Sequence, residues 1–299
     1  MDGIITDIQR FSLNDGPGIR TTVFFKGCSM RCAWCHNPET LSPVKDLHYY
    51  ERNCIGCGKC AEVCGTGAHY FSGGKHIFDR SLCLNCGKCA NACYPDALVI
   101  SGRKMSVKDV MEEILQDKAY YLDSGGGVTL SGGEVLCQQE FAAELVYACH
   151  ENGIEVGVET NLYKPFNEIE QFLGMVDLVM LDIKLFDNEQ HKKWTGVENS
   201  MILENVKKLS ELGKPIIVRT PLIIGVTDTD ENLKYIAMFI QGIKGVLRYE
   251  LLNFNPLGTS KYASLGKENM FGKTRPLPQK RLDEIIAMLS EYSVAVKVV

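Results

Sequence analysis

Cys28, Cys32 and Cys35 stand in a C-x3-C-x2-C array directly after Thr22-Val23-Phe24-Phe25, an apolar run that reads as a buried strand. Three closely spaced thiolates suit a soft, thiophilic metal. A structural zinc site takes four closed ligands, and here the local count stops at three. His36 directly follows Cys35, and adjacent residues rarely reach one tetrahedral centre together. Cys32 to His36 also spells the C-x-x-C-H haem-attachment pattern, which belongs to exported cytochromes, whereas Met1-Asp2-Gly3, with no basic or apolar leader pattern after it, gives the expectation of an unexported protein. An iron–sulfur cluster fits better than zinc. Three cysteines on a cube of four irons leave one iron open, and an open metal position is where chemistry happens.

Two further cysteine runs follow. Cys54, Cys57, Cys60 and Cys64 are spaced C-x2-C-x2-C-x3-C, and so are Cys83, Cys86, Cys89 and Cys93. The runs form an internal repeat, in which Cys57-Gly58-Lys59-Cys60-Ala61 matches Cys86-Gly87-Lys88-Cys89-Ala90 and Ala68 matches Ala97. This is the pattern of bacterial two-cluster ferredoxins, where the fourth cysteine of each run ligates the other cluster. The expected sets are Cys54, Cys57, Cys60 and Cys93 for one 4Fe–4S cluster, and Cys83, Cys86, Cys89 and Cys64 for the other. The proline usual after the fourth cysteine is missing: Gly65 follows Cys64, and Pro95 comes one position late. Two zinc sites fit poorly, because this spacing crowds the ligands. A segment as short as 51–101 cannot hold a core without staples, which clusters would supply. All but two of the 13 cysteines are thereby used. Cys137 and Cys149 are read as helical core packing.

The rest of the chain must position these groups. Strands are expected at 3–9 and 21–26, then a helix from an N-cap at Ser106 to about Tyr121. Next come strand 128–131, helix 138–152, strand 154–159, helix 165–174 and strand 178–183. Helix 198–212, strand 215–220, helix 229–241 and strand 247–253 follow, then helix 278–292 and strand 294–298. Alternating βα units imply an α/β fold, a parallel sheet wound right-handedly into a barrel or an open sheet. Counting the strand before Cys28, there are six such units. The expected layout is a first part over 1–50, the cysteine-rich insertion over 51–101, and the remainder over 102–299.

In barrels of this kind the working residues sit at the carboxyl ends of the strands. The first strand ends at the cysteine triplet. The others end in Ser131-Gly132-Gly133-Glu134, Glu159-Thr160-Asn161, Asp182-Ile183-Lys184, Arg219-Thr220 and Asn253-Phe254-Asn255. Singly, each has a plain explanation: a βα turn for the glycine pair, a surface ion pair for Asp182 and Lys184. Convergence on one face makes the functional reading better for the set.

C-x3-C-x2-C with an aromatic residue, Trp34, before the last cysteine resembles the radical S-adenosylmethionine (SAM) enzymes. The preceding Asp15-Gly16-Pro17-Gly18-Ile19-Arg20 is similar to the activating enzymes of glycyl radical enzymes, such as the pyruvate formate-lyase activase. That resemblance spans nearly the whole chain. It implies a partial (β/α)6 TIM-like barrel carrying the ferredoxin-like insertion, three 4Fe–4S clusters and SAM. It further implies that Cys28, Cys32 and Cys35 hold the catalytic cluster and that Gly132, Gly133 and Glu134 lie at the SAM amino group. Trp34 and His36 would line the adenine pocket, with Asp182, Lys184 and Arg219 on the ribose and carboxylate. Glu159, Thr160, Asp182 and the Met180 carbonyl match a site for a monovalent cation. Asp15 and Gly16 match the loop that binds the partner's glycine peptide. Three departures stand out: Glu159 where aspartate is usual, Val135 where Gly-Gly-Glu-Pro is usual, and Asn255 where a histidine often contacts SAM.

The resemblance implies a glycyl radical enzyme as protein partner, a dehydratase or small-molecule lyase, and an electron donor such as flavodoxin or ferredoxin. A formal net charge of −5 gives no footprint for nucleic acid or an anionic membrane, and no apolar run approaches a membrane span. A cytoplasmic monomer is the expectation. Two other readings stay open: a radical SAM enzyme acting on a small molecule or peptide, and an electron-transfer protein.

Overall fold

A computed structural model describes residues 1–299. Nine strands form one mixed sheet. They are β1 (Asp2–Ser12), β2 (Arg20–Phe25), β7 (Arg103–Ser106), β8 (Gly127–Gly132), β9 (Val156–Thr160), β10 (Leu178–Asp182), β11 (Ile216–Leu222), β12 (Val246–Asn253) and β13 (Val296–Val298). The order is β13-β12-β11-β10-β9-β8-β2-β1-β7. From β2 to β13 all pairs are parallel, while β1 runs antiparallel to both β2 and β7. The outer strands β13 and β7 do not pair with each other, so the sheet stays open.

The parallel strands read as apolar runs because both of their faces are covered. Val128, Leu130, Val158, Val179, Val218 and Leu251 are buried in one continuous core with helix residues such as Leu145, Phe172, Leu209, Ile236 and Ile285. Parallel order brings every carboxyl end to the same rim, which is why distant polar residues meet there.

The helix expected over 106–121 is broken. Ser106 caps Val107–Leu115 in a capping box with Asp109, as its position predicts, but a second helix, Lys118–Ser124, starts after a turn. The break turns the buried Asp117 carboxylate onto Arg10 (2.8 Å) and the Thr21 hydroxyl (2.9 Å). Outside the cysteine-rich segment, two helices escaped the periodicity: Asn188–Thr195, capped by Asp187, and Thr259–Ser264. The first is too polar for an apolar stripe, and the second is under two turns long.

The cysteine-rich segment has its own strands. β3 (Asp46–Tyr49) pairs antiparallel with β6 (Leu98–Ser101), and β4 (His69–Ser72) pairs with β5 (Lys75–Phe78). Pairing of β3 with β6 closes the segment at its base, so the inserted unit begins some residues before 51. Its buried apolar cluster is Leu47, Cys89 and Leu98. Three residues are too few to stabilise such a unit by burial, which agrees with a need for staples. No helix is long and apolar enough to cross a membrane.

Candidate active site

A cleft of about 330 Å³ opens at the carboxyl rim, within the size range of small-molecule sites. Cys28, Cys32 and Cys35 lie on its wall beside Trp34 and His36. Gly132, Gly133, Glu159, Thr160, Asp182, Lys184 and Asn255 complete the expected set on the lining. Twelve residues taken from five separate chain segments thus meet at one cavity.

The cysteine loop is held by three backbone bonds. Gly27 N–H donates to the Thr40 carbonyl (2.7 Å), Arg31 N–H to Thr195 (2.8 Å) and Ala33 N–H to Trp194 (2.9 Å). From the other side the Tyr262 hydroxyl donates to the Cys35 carbonyl at 2.9 Å. Burial pushes the thiols of Cys28 and Cys35 up to about 12 and that of Cys32 upward as well. Three such thiols are neutral at pH 7 without a metal; a soft cation bound to all three is what makes them thiolates. The donor set therefore fits an iron–sulfur cluster.

Gly132 and Gly133 have a backbone reason for being glycine. A Cβ at Gly132 (φ +114°) would stand 2.3 Å from Phe25 N, and one at Gly133 would stand 2.2 Å from the Gly27 carbonyl oxygen. Here the end of β8 lies against the cysteine loop, with Gly133 N–H donating to Phe25 (2.9 Å) and Glu134 N–H to Gly27 (2.8 Å). The pair sets the distance between the loop and the sheet.

Two expected residues fall elsewhere. Glu134 is buried and off the lining. Its carboxylate accepts from Thr160 Oγ1 (2.8 Å), Asn161 N–H (2.8 Å) and Leu136 N–H (3.1 Å), bracing the end of β8 against that of β9. Burial holds this carboxyl above the usual range, against those three donors. Arg219 is also off the lining. Its donors are taken by Glu250 (2.8 Å), by Glu159 and by the Asn14 carbonyl (2.9 Å). It therefore positions Glu159 and the Asp15 loop, with three of its five N–H donors engaged there. The cation site meets a similar obstacle. Glu159 pairs with Arg219 and accepts from Ser131 Oγ, and Asp182 pairs with Lys184 at 2.8 Å, so side chains already supply the countercharge.

Asp182 and Lys184 are an ion pair, but one that faces the cleft. Burial works against the Lys184 charge, yet Asp182 keeps its pKa above the ordinary lysine value. His36 is held below its usual value by burial and then by Lys261, which makes it a neutral imidazole at the rim. The Asn255 side-chain oxygen accepts from Leu257 N–H at 3.0 Å, leaving its NH2 group as the free donor. Cys149 is buried, with Sγ 3.6 Å from Met111 Sδ. Cys137, in contrast, is exposed on a short 3-10 turn over Val135–Gln138, so core packing does not describe it.

Asn161 was legible only as a strand-end residue, yet it lines the cleft with its Nδ2 3.9 Å from Cys28 Sγ and 3.4 Å from Ser29 Oγ. Ser131, Met30 and Phe254 line it too.

The loop before β2 is built by Arg20, fully buried, which donates to Thr129 Oγ1 (2.6 Å), the Val128 carbonyl (2.6 Å) and the Pro17 carbonyl (3.2 Å). Gly18 has φ +69°, and a Cβ there would stand 2.5 Å from Gly126 N. Thr22 Oγ1 donates to Asp15 Oδ2 at 2.6 Å, and Oδ1 of Asp15 remains free. Gly16 has φ +125° against the Arg20 side chain.

In the insertion, two small cavities sort the remaining thiols. One is lined by Cys54, Cys57, Cys60 and Cys93, the other by Cys64, Cys83, Cys86 and Cys89. Each combines three cysteines of one run with the last of the other. The insertion is tied to the cleft through Thr259–Ser264. His48 Nδ1 meets Ser264 Oγ at 2.8 Å and Arg80 donates to the Ser264 carbonyl at 2.5 Å, while Lys261 of the same helix reaches Asn37 (2.8 Å) and Glu39 (2.6 Å).

An open α/β sheet with a three-cysteine cleft at its carboxyl rim defines a class, and residues 22–236 match the Radical SAM superfamily. The chain is 43% identical over 297 residues to the (2S)-3-sulfopropanediol dehydratase activating enzyme of Klebsiella oxytoca, covering 97% of this chain and 93% of that one. It is 41% identical to the trans-4-hydroxy-L-proline dehydratase activating enzyme of Clostridioides difficile, over 95% of each chain. Among solved structures, a domain of pyruvate-formate lyase-activating enzyme from Bacteroides vulgatus superposes with a TM-score of 0.50 at 25% identity, covering 58% of this chain and 99% of that one. The chain belongs to the radical SAM superfamily and, within it, to the activating enzymes of glycyl radical enzymes. It is an enzyme of SAM-dependent glycyl radical activation.

Proposed function

We propose that this chain activates a dehydratase or small-molecule lyase of the glycyl radical type, using one cluster in the cleft and two in the insertion. In this reading the fold is a splayed partial (β/α)6 barrel with a two-cluster ferredoxin-like insertion. Cys28, Cys32 and Cys35 hold the catalytic 4Fe–4S cluster, the donor set for which the buried thiols are suited. That cluster, when bound, supplies the electron that splits the sulfonium–C5′ bond of SAM. Methionine leaves, and the 5′-deoxyadenosyl radical takes a Cα hydrogen from one glycine of the partner, giving 5′-deoxyadenosine and a glycyl radical.

The chain's own residues bind, orient and exclude water. Trp34 and His36 form an apolar, uncharged wall for the adenine. The Asp182–Lys184 pair offers an acceptor for ribose hydroxyls and a cation for the methionine carboxylate. The Asn255 NH2 group is a second donor. Gly132 and Gly133 keep the backbone clear where the amino group sits. Asp15 offers its free Oδ1 to peptide N–H groups of the partner's glycine loop. Electrons arrive from a flavodoxin or ferredoxin through the insertion, whose Arg80 and His48 contacts to Ser264 continue through Tyr262 to the Cys35 carbonyl. The enzyme works as a cytoplasmic monomer.

The observation carrying this reading is that the cysteine triplet shares one cleft with the polar ends of its neighbouring strands. The test is iron content and SAM cleavage in anaerobically reconstituted protein. The parent should bind about twelve irons, four per cluster. Cys28→Ala should lose one third of them and all 5′-deoxyadenosine formation. A parent with about four irons, or a variant that still cleaves SAM, overturns the assignment.

A further inference from the structure

Between the two cysteine runs, the β4–β5 hairpin carries a pair of imidazoles that the activation reaction does not use. His69 Nδ1 lies 3.0 Å from His76 Nε2. His76 lines the cavity of Cys54, Cys57, Cys60 and Cys93, and His69 lines the cavity of Cys64, Cys83, Cys86 and Cys89. His76 also faces sulfur: Nε2 is 3.5 Å from Cys60 Sγ and Nδ1 is 4.0 Å from Cys54 Sγ. Tyr49 packs against its ring in a T-shaped contact, with centroids 4.7 Å apart.

The hydrogen bond between the rings fixes where His76 can point a proton. If His69 donates, His76 Nε2 is the acceptor, and its proton sits on Nδ1, toward Cys54. If His76 donates from Nε2, the same N–H is shared with Cys60. In both arrangements His76 gives an N–H to a thiol sulfur of the first cavity. The internal repeat provides no counterpart. The residue matching His76 is Met105, in β7, outside the second run. The second cavity relies instead on small donors, with Asn85 N–H 3.4 Å from Cys83 Sγ and the Thr66 hydroxyl 3.4 Å from Cys64 Sγ.

We infer that His76, held in place by His69, raises the reduction potential of the cluster on Cys54, Cys57, Cys60 and Cys93. This rests on the two-cluster reading of the insertion. A hydrogen bond to a cluster thiolate stabilises the reduced, more negative state over the oxidised one. The two sets of the repeat, nearly identical in sequence, thereby hold an electron with different strength. His76 is a positioning and tuning residue: it touches ligand sulfurs and has no part in SAM cleavage.

The test is an EPR-monitored redox titration of the anaerobically reconstituted full chain, with iron content measured on the same samples. His76→Phe should keep the parent's iron content and hold the electron on one auxiliary cluster about tenfold more weakly, or about 59 mV more negative for one electron. The other two clusters should keep their potentials. His76→Gln, which still offers an N–H, should recover part of the shift. His69→Leu should shift the same cluster in the same direction by less, which keeps the inference testable if His76→Phe loses iron. Parent potentials in His76→Phe at full iron content overturn the inference and leave the two-cluster reading intact. Parent potentials in His69→Leu, with iron lost from His76→Phe, overturn it as well. A parent protein with no auxiliary clusters overturns both.

Discussion

The Arg219 guanidinium donates to the Asn14 carbonyl at 2.9 Å, across 205 residues of sequence, and so ties the middle of β11 to the loop that carries Asp15. The same guanidinium satisfies Glu159 and Glu250, the latter only 2% exposed in its side chain. One arginine therefore pairs with two carboxylates, sharing Glu250 with Arg248 (2.7 Å), and fixes a loop.

Removing it should leave buried charge. Arg219→Leu is expected to lower unfolding free energy by about 3–5 kcal/mol, the usual cost of breaking a buried ion pair from one side. Arg219→Leu combined with Glu159→Gln should recover part of that loss in the same urea titration. A double variant no better than the single one would show that the pairing is not the reason.

Asp15→Asn should separate partner docking from SAM chemistry. An asparagine oxygen can still accept from Thr22 Oγ1, so the loop geometry is kept while the acceptor-only carboxylate is lost. Clusters and uncoupled SAM cleavage should match the parent. Glycyl radical yield on the partner, read by EPR, should drop on the order of a hundredfold, the scale of a misplaced reacting group. Parent-level radical yield would remove Asp15 from peptide docking. A parallel fall in cluster content would make it a turn-shaping residue.

Two glycine-to-alanine changes should have opposite effects. At Gly133 a Cβ would meet the Gly27 carbonyl oxygen at 2.2 Å, so Gly133→Ala must displace the cysteine loop. Iron at the cleft and 5′-deoxyadenosine formation should fall together while the other iron stays bound. Gly174 lies inside the helix Phe166–Met175 with nothing near its missing Cβ. Gly174→Ala should raise stability by up to about 1 kcal/mol, since glycine costs roughly that much in a helix.

Iron removal should loosen the insertion before the sheet. Its buried apolar cluster of Leu47, Cys89 and Leu98 is too small to hold β3 to β6 unaided. Treating the protein with a chelator should make residues 54–93 the first site of proteolysis and fast amide exchange, with β8 to β11 still protected. Equal loss of protection in both regions would mean that the sheet depends on the insertion's iron too.

The cysteines that line the cleft and the two insertion cavities were legible as groups because their spacing is local. Cys28, Cys32 and Cys35, and the two runs from Cys54 to Cys93, declare themselves within a few residues each. So do the polar groups that end apolar strands, since parallel order must bring them to one rim. Gln139–Glu151 and Asp230–Ile240 follow from helical periodicity alone.

What the tertiary structure decided depends on partners far away in the chain. Arg219 resembles a ligand-binding residue until Glu250 and Asn14 are seen to take its donors, and Glu134 does until Thr160 and Asn161 occupy its carboxylate. Gly132 and Gly133 are required by β2 and the cysteine loop, which no local pattern discloses. Cys137 and Cys149 are alike in sequence terms, yet one falls on an exposed turn and the other against Met111. His69 and His76 face each other only because the β4–β5 hairpin folds back with His69 opposite Phe78 and Phe71 opposite His76, in a pairing register that sequence spacing does not encode. Spacing and periodicity report what a residue can do within a few neighbours. Which of its hydrogen bonds remain free is set by whatever the fold brings against it.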